Sequence, residues 1–218
     1  MARTFHPSAD PEYYLHLVEY GRENKRLTDD DAALLTEFIK GKKTKDGTKV
    51  SGIRKTLSGL CRQHQSIVAI DYSPRAAHLA RMKAYPEPGP EIAVADAQHT
   101  PFCDHTFDAI TACHVLGHGT ASGRHTIIRE LTRLLRLGGL IWFCDFSIRD
   151  FRYGTGRQTE PGTFERGNGI ATHYFSEGEV RDLFSGFETA FLRYDDWTLR
   201  VKGVDYPRSE ISALFRKP

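Results

Sequence analysis

No stretch of the 218-residue sequence approaches the roughly twenty apolar residues that a membrane-crossing helix needs. Met1-Ala2-Arg3-Thr4 does not begin a signal peptide, so a cytosolic protein is expected. Cysteine is scarce: Cys61, Cys103, Cys113 and Cys144 are scattered and form no Cys-x-x-Cys pair. They read as reduced thiols rather than a zinc site or a disulfide frame. There is no internal repeat and no long low-complexity run. The net charge of +2 is too small to name a partner, and 39% hydrophobic with 27% charged residues is ordinary for a globular chain.

Charge is distributed more tellingly than its total. Residues 40–62 carry eight Lys/Arg (Lys40, Lys42, Lys43, Lys45, Lys49, Arg54, Lys55 and Arg62) against one acid, Asp46. Residues 1–39 lean the other way, with eight acids against four basic residues. Such a shift marks either a join between segments or two solvated helical faces, and a basic run of this kind also suits contact with nucleic acid. The periodicity predicts helices over 13–26, from Thr28 to about Ile39, and from Ser51 to about Leu60. Residues 1–62 are thus expected to form a helical N-terminal segment ahead of a domain at 63–218.

From residue 66 the pattern changes to strand–helix alternation. Ser66–Asp71, Glu91–Ala95, Phe107–Cys113 and Leu140–Asp145 read as strands, separated by predicted helices at Pro74–Ala84 and Thr126–Leu137. Gly138-Gly139 is the expected stop of the second helix. Ser176 and Glu179 form a capping box for a helix over Gly178–Phe184, and strands follow at about Phe187–Val201 and Glu210–Arg216. The fold class is therefore α/β: a Rossmann-like, mostly parallel sheet with an antiparallel C-terminal edge, preceded by the helical segment.

One expected element is absent. A nucleotide-binding α/β domain carries a first strand and a glycine-rich loop about twenty residues before the acid that ends its second strand. Gly41, Gly47, Gly52 and Gly59 match no such pattern, and Gly52, nineteen residues before Asp71, is the single possible equivalent.

The stretches "VAIDYSP", "AVADAQHTPFCDHTFDAITACHVLGH" and "IIRELTRLLRLGGLIWF" nevertheless resemble successive signatures of the class I S-adenosylmethionine-dependent methyltransferases, from about Gly59 onward. The resemblance implies S-adenosylmethionine as cofactor. Asp71 would hold the ribose hydroxyls with Tyr72 beside the adenine, and Asp96 with Ala97 would lie near the adenine amine. Cys113 and His114 would line the methionine side, with Gly52 standing for the lost loop. Residues 12–60 are similar, without a sharp motif, to the N-terminal helical segment of archaeal tyrosine recombinases, although no catalytic domain of that family follows.

Methyl transfer requires alignment of a nucleophile with the sulfonium carbon and, for some acceptors, a base. His118 and His173 are the candidate bases, the latter beside a Gly-rich stretch, 154–171, that reads as a lid. His114 and His118, four apart, complete no metal motif, so no metal is expected. Two readings follow. One is a methyltransferase acting on a small molecule or an unidentified acceptor, impaired in cofactor binding. The other is a non-catalytic module whose basic segment contacts DNA or a protein.

Overall fold

A computed structural model describes residues 67–82, 90–167 and 169–218. The predicted N-terminal helices, Lys49–Ile53 and Gly52 lie outside these residues. Residues 102–218 form one compact unit, and the described residues up to 101 belong to a second.

In the second unit, β1 (Val68–Asp71) runs parallel to β2 (Glu91–Val94), with Val68 opposite Glu91 and Asp71 opposite Val94. Between them lies α1 (Pro74–Arg81). Its start follows from the sequence: Pro74 supplies the fixed φ of a first turn, and the Ser73 hydroxyl accepts from Ala76 N–H at 3.3 Å. Ala77 and Ala80 face inward, small enough for close approach to the strands. Arg81 donates to the Ile92 carbonyl, tying the helix end to β2.

In residues 102–218, β3 (Phe107–Cys113) and β4 (Leu135–Phe146) are parallel neighbours. A 3-10 turn at Leu116–His118 and then α2 (Ala121–Leu134) join them. Helix α2 begins five residues before the predicted start, because Thr120 caps it through Gly123 N–H at 3.1 Å. It also ends earlier. Leu135 is already extended and pairs with Phe107, so Gly138-Gly139 lies inside β4 rather than ending the helix. Gly138 has φ +73°, and a Cβ on Gly139 would meet the Asp108 carbonyl at 2.9 Å. The two glycines therefore serve a strand irregularity against β3.

The Gly-rich stretch expected as a lid contains three short antiparallel strands: β5 (Arg157–Glu160), β6 (Thr163–Glu165) and β7 (Ala171–His173). Helix α3 (Glu177–Leu183) follows, capped by Ser176, which accepts from Glu179 N–H at 3.2 Å. The Glu179 side chain turns to His173 instead of closing a reciprocal box. Strands β8 (Glu188–Val201) and β9 (Val204–Arg216) form a long antiparallel ribbon. Their tight turn uses Lys202 and Gly203, both at positive φ, the geometry a two-residue hairpin demands, so β9 starts six residues before the predicted strand.

The four-stranded sheet is ordered β3-β4-β9-β8, with β9 antiparallel to β4. The antiparallel C-terminal edge is present, but among the described residues the four-stranded sheet is mixed, β1 and β2 are parallel, and β5, β6 and β7 are antiparallel. Phe143, Phe175, Phe184 and Phe215 make the centre of the core, with Phe184 stacked on Phe215 at 4.1 Å. Each fully buried ring contributes on the order of 1.5–3 kcal/mol by leaving water.

Candidate functional site

Within each unit, predicted site residues lie at the carboxyl ends of parallel strands, where α/β sheets bind ligands. At the end of β1, Asp71 Oδ1 accepts from Ser73 N–H at 2.8 Å, which fixes the carboxylate at the strand-to-helix turn. Tyr72 beside it is 78% exposed, leaving its ring face open. One strand over, Asp96 follows β2 and its Oδ1 accepts from Gln98 N–H at 2.9 Å, with Ala97 inside the same turn. The two predicted acids thus end adjacent parallel strands, each oriented by a backbone donor two residues on. This is the arrangement needed to present carboxylates to hydroxyl and amine donors of a nucleoside.

A second group forms at the ends of β3 and β4. Cys113 lies opposite Cys144 across the parallel pair, and neither is in a disulfide. The hydrogen bond from Cys113, with burial, pushes the Cys144 thiol well up. His114 follows with φ +56°, a left-handed conformation that a side chain rarely adopts. This backbone aims the ring between two carboxylates. Nδ1 is 3.5 Å from Asp145 Oδ1, and Nε2 is 3.3 Å from Glu210 Oε1. Burial opposes a charge on His114, but the hydrogen bonds and charges of Asp145 and Glu210 outweigh it and raise the imidazole well above its usual value. Asp145 is held in turn by Gly117 N–H at 2.8 Å and by Phe146 N–H at 2.9 Å. Glu210 Oε2 accepts from Cys144 Sγ at 3.2 Å. Beyond Glu210, burial first and then that residue's charge push Asp195 up to about 7.

The two predicted bases are placed differently. His118 is exposed at the end of the 3-10 turn, and its Nδ1 lies 3.3 Å from the Ala171 carbonyl. A carbonyl only accepts, so this contact calls for the proton on Nδ1; in the neutral ring Nε2 then keeps its lone pair, as a base requires. His173 is buried, with Nδ1 2.8 Å from the Thr163 hydroxyl and Nε2 2.9 Å from Glu179 Oε2. Both of its ring nitrogens are engaged within the fold. Arg152 grips buried Asp150 at 2.7 Å, together with Arg208 at 2.6 Å.

Sequence reading missed Cys144, Asp145 and Glu210 as members of one polar group. The available signal was an acid, Glu210, beside an otherwise apolar run ending in Ala213-Leu214-Phe215. Near Arg208, an open groove of about 380 Å³ is lined by Arg149, Asp196, Trp197, Thr198 and Pro207 as well. Arg149 covers the Tyr194 ring at 3.7 Å.

Comparison with known proteins places these observations in a family context. Residues 51–143 match the family described as a methyltransferase domain. The chain is similar to the Drosophila melanogaster tRNA N(3)-methylcytidine methyltransferase Mettl2, at 28% identity over 70% of this chain and 50% of the relative. It is also similar to the Rattus norvegicus tRNA N(3)-cytidine methyltransferase METTL6, at 23% identity over 77% of this chain and 63% of that protein. The chain therefore spans about half to three-fifths of these relatives. Among solved structures, a SAM-dependent methyltransferase from Methanosarcina mazei superposes with TM-score 0.61 and 22% identity, covering 72% of this chain and 84% of the other. The Burkholderia thailandensis 1,6-didemethyltoxoflavin-N1-methyltransferase, with S-adenosylhomocysteine bound, gives 0.54 and 17%, covering 75% and 66%. The recombinase likeness of residues 12–60 finds no support in these matches, and the family match begins inside the basic segment. Together they support a class I, S-adenosylmethionine-dependent methyltransferase fold and cofactor for this chain.

Proposed function

We propose that the protein is an S-adenosylmethionine-dependent methyltransferase whose acceptor is a nucleobase in RNA. The carrying observation is the pair Asp71 and Asp96 at the carboxyl ends of adjacent parallel strands, each carboxylate pre-set by a backbone N–H. Asp71 accepts from the ribose hydroxyls and Asp96 from the adenine amine, while exposed Tyr72 packs on the base. Gly52, Ala97, Cys113 and His114 complete the proposed cofactor contacts. When bound, S-adenosylmethionine supplies the electrophilic methyl group. The protein's task is to orient the acceptor and exclude water.

His118, exposed and in the basic tautomer, is the residue proposed to receive an acceptor proton. His173, enclosed by Thr163 and Glu179, acts by holding β6, β7 and α3 in place. The RNA acceptor rests on the names of the curated relatives, on the basic run at 40–62, and on the Arg/Trp groove around Arg149, Trp197 and Arg208. These features favour RNA over the small-molecule acceptor first expected, and the cofactor acids disfavour a purely non-catalytic module.

The test uses the full chain. Calorimetric titration with S-adenosylmethionine should show saturable binding, and absence of binding at millimolar ligand overturns the enzyme reading. Transfer of labelled methyl to unmodified tRNA, followed by nucleoside analysis, should yield a methylated base. Cofactor binding with transfer only to small molecules overturns the RNA acceptor alone.

A further inference from the structure

We infer that His114, Cys144 and Glu210 form a binding site for a divalent ion of zinc type, independent of the methyltransferase reading. The potential ligand atoms of the three residues lie within 4.8 Å of one another. They come from three different strand positions: the end of β3, the interior of β4 and the interior of β9. Zinc bonds of about 2.0–2.3 Å at tetrahedral angles place ligand atoms roughly 3.3–3.6 Å apart. Glu210 Oε1 is 3.3 Å from His114 Nε2 and Glu210 Oε2 is 3.2 Å from Cys144 Sγ, so each contact is at ligand-to-ligand spacing and a modest closing of the group would bring all three onto one ion.

The surroundings fit as well. A zinc-bound histidine usually turns its other ring nitrogen to a carboxylate that fixes its orientation. Asp145 Oδ1 sits 3.5 Å from His114 Nδ1, and Asp145 is itself anchored by the Gly117 and Phe146 N–H groups. Without an ion the cluster is imperfectly satisfied: His114 Nδ1 and Glu210 Oε1 are buried and make no hydrogen bond of good geometry. Asp145 and Glu210 are each 1% exposed, and a single imidazole faces both. The left-handed backbone of His114 is unfavourable by itself, and it is what turns the ring into the cluster. His114 is half-buried while Cys144 and Glu210 are enclosed. Coordination uses the His114 ring and leaves its backbone for any cofactor contact.

The experiment takes the full chain after chelator dialysis and titrates it with Zn²⁺ alone by calorimetry, then with Co²⁺ by absorbance. One ion per chain is expected, with a thiolate-to-cobalt band and the visible bands of a tetrahedral site. Cys144→Ser should abolish the thiolate band, whereas Cys103→Ser, altering an exposed thiol, should retain it. Asp145→Asn should weaken binding about tenfold, the range for a group behind a ligand. Where Cys144→Ser yields little folded protein, Glu210→Gln carries the test, with a loss of at least about tenfold in Zn²⁺ affinity at an unchanged circular dichroism spectrum. No saturable binding, or binding unaltered in the folded Cys144→Ser or Glu210→Gln chain, overturns the site. S-adenosylmethionine binding measured on the same samples keeps this outcome separate from the methyltransferase test.

Discussion

Gly117 donates its backbone N–H to Asp145 at 2.8 Å, and a Cβ on Gly117 would stand 2.6 Å from Asp145 Oδ1. The 3-10 turn after β3 therefore touches the carboxylate that orients His114, and only a glycine permits that approach. Gly117→Ala is expected to cost about 1–3 kcal/mol in urea unfolding, as a methyl forced into a filled space does. Because Asp145 must move, the His114 ring resonances should shift in the folded variant. An unchanged midpoint and unchanged resonances would show that the turn relaxes freely.

Asp150 supplies a second test, through pH. Burial alone would raise its carboxyl, yet the Arg152 and Arg208 guanidiniums hold it below the usual carboxylate range. A depressed folded pKa means that Asp150 stabilises the fold above the unfolded carboxylate value, near about 4. That stabilisation disappears as pH falls through the lower folded value. Asp150→Asn should lose about 3 kcal/mol at pH 7, because two half-buried cations lose their buried partner. The variant's unfolding midpoint should then fall less steeply than the wild type's on acidification from pH 5 to pH 3. Parallel curves would exclude Asp150 as a source of the acid sensitivity.

For the cofactor, Asp71→Asn is the sharpest substitution. Asn keeps an oxygen for the Ser73 N–H, so the turn into α1 should survive and thermal stability should hold. It lacks the charge that strengthens hydrogen bonds to ribose hydroxyls, so S-adenosylmethionine should bind about tenfold or more weakly. Calorimetry on the variant decides the matter, and equal affinity would remove Asp71 from the site.

The two histidines should separate by type of loss. His118→Ala alters an exposed ring and should leave stability within about 0.5 kcal/mol while lowering methyl transfer about a hundredfold. His173→Ala strips partners from Thr163 and Glu179 and should cost about 2 kcal/mol. Its activity at a temperature where it is fully folded should stay close to wild type. The opposite pattern would exchange their roles.

Much of the fold was readable in the residues because its signals are local. Ser73-Pro74 starts α1 where it should, and the buried stripe Ile127, Ile128, Leu131 and Leu134 marks the inner face of α2. The boundary errors have equally local causes. Thr120 outcompetes later residues as a cap. At Gly138-Gly139, pairing with β3 overrides the usual meaning of two glycines after a helix. The Lys202-Gly203 turn was overlooked because its flanking strands carry several charges and alternate poorly.

Alternation of apolar runs and helical stripes determined by itself an α/β arrangement and placed Asp71 and Asp96 after two of its strands. Those signals depend on neighbours within a few residues, which is why one sequence suffices to read them. The His114 cluster was decided only by tertiary structure. Glu210 lies 66 residues from Cys144 and reaches it because β9 runs antiparallel to β4 in a register that sets Phe146 opposite Glu210. No periodicity within β3, β4 or β9 encodes that register. It is fixed by which faces of the strands must be buried together.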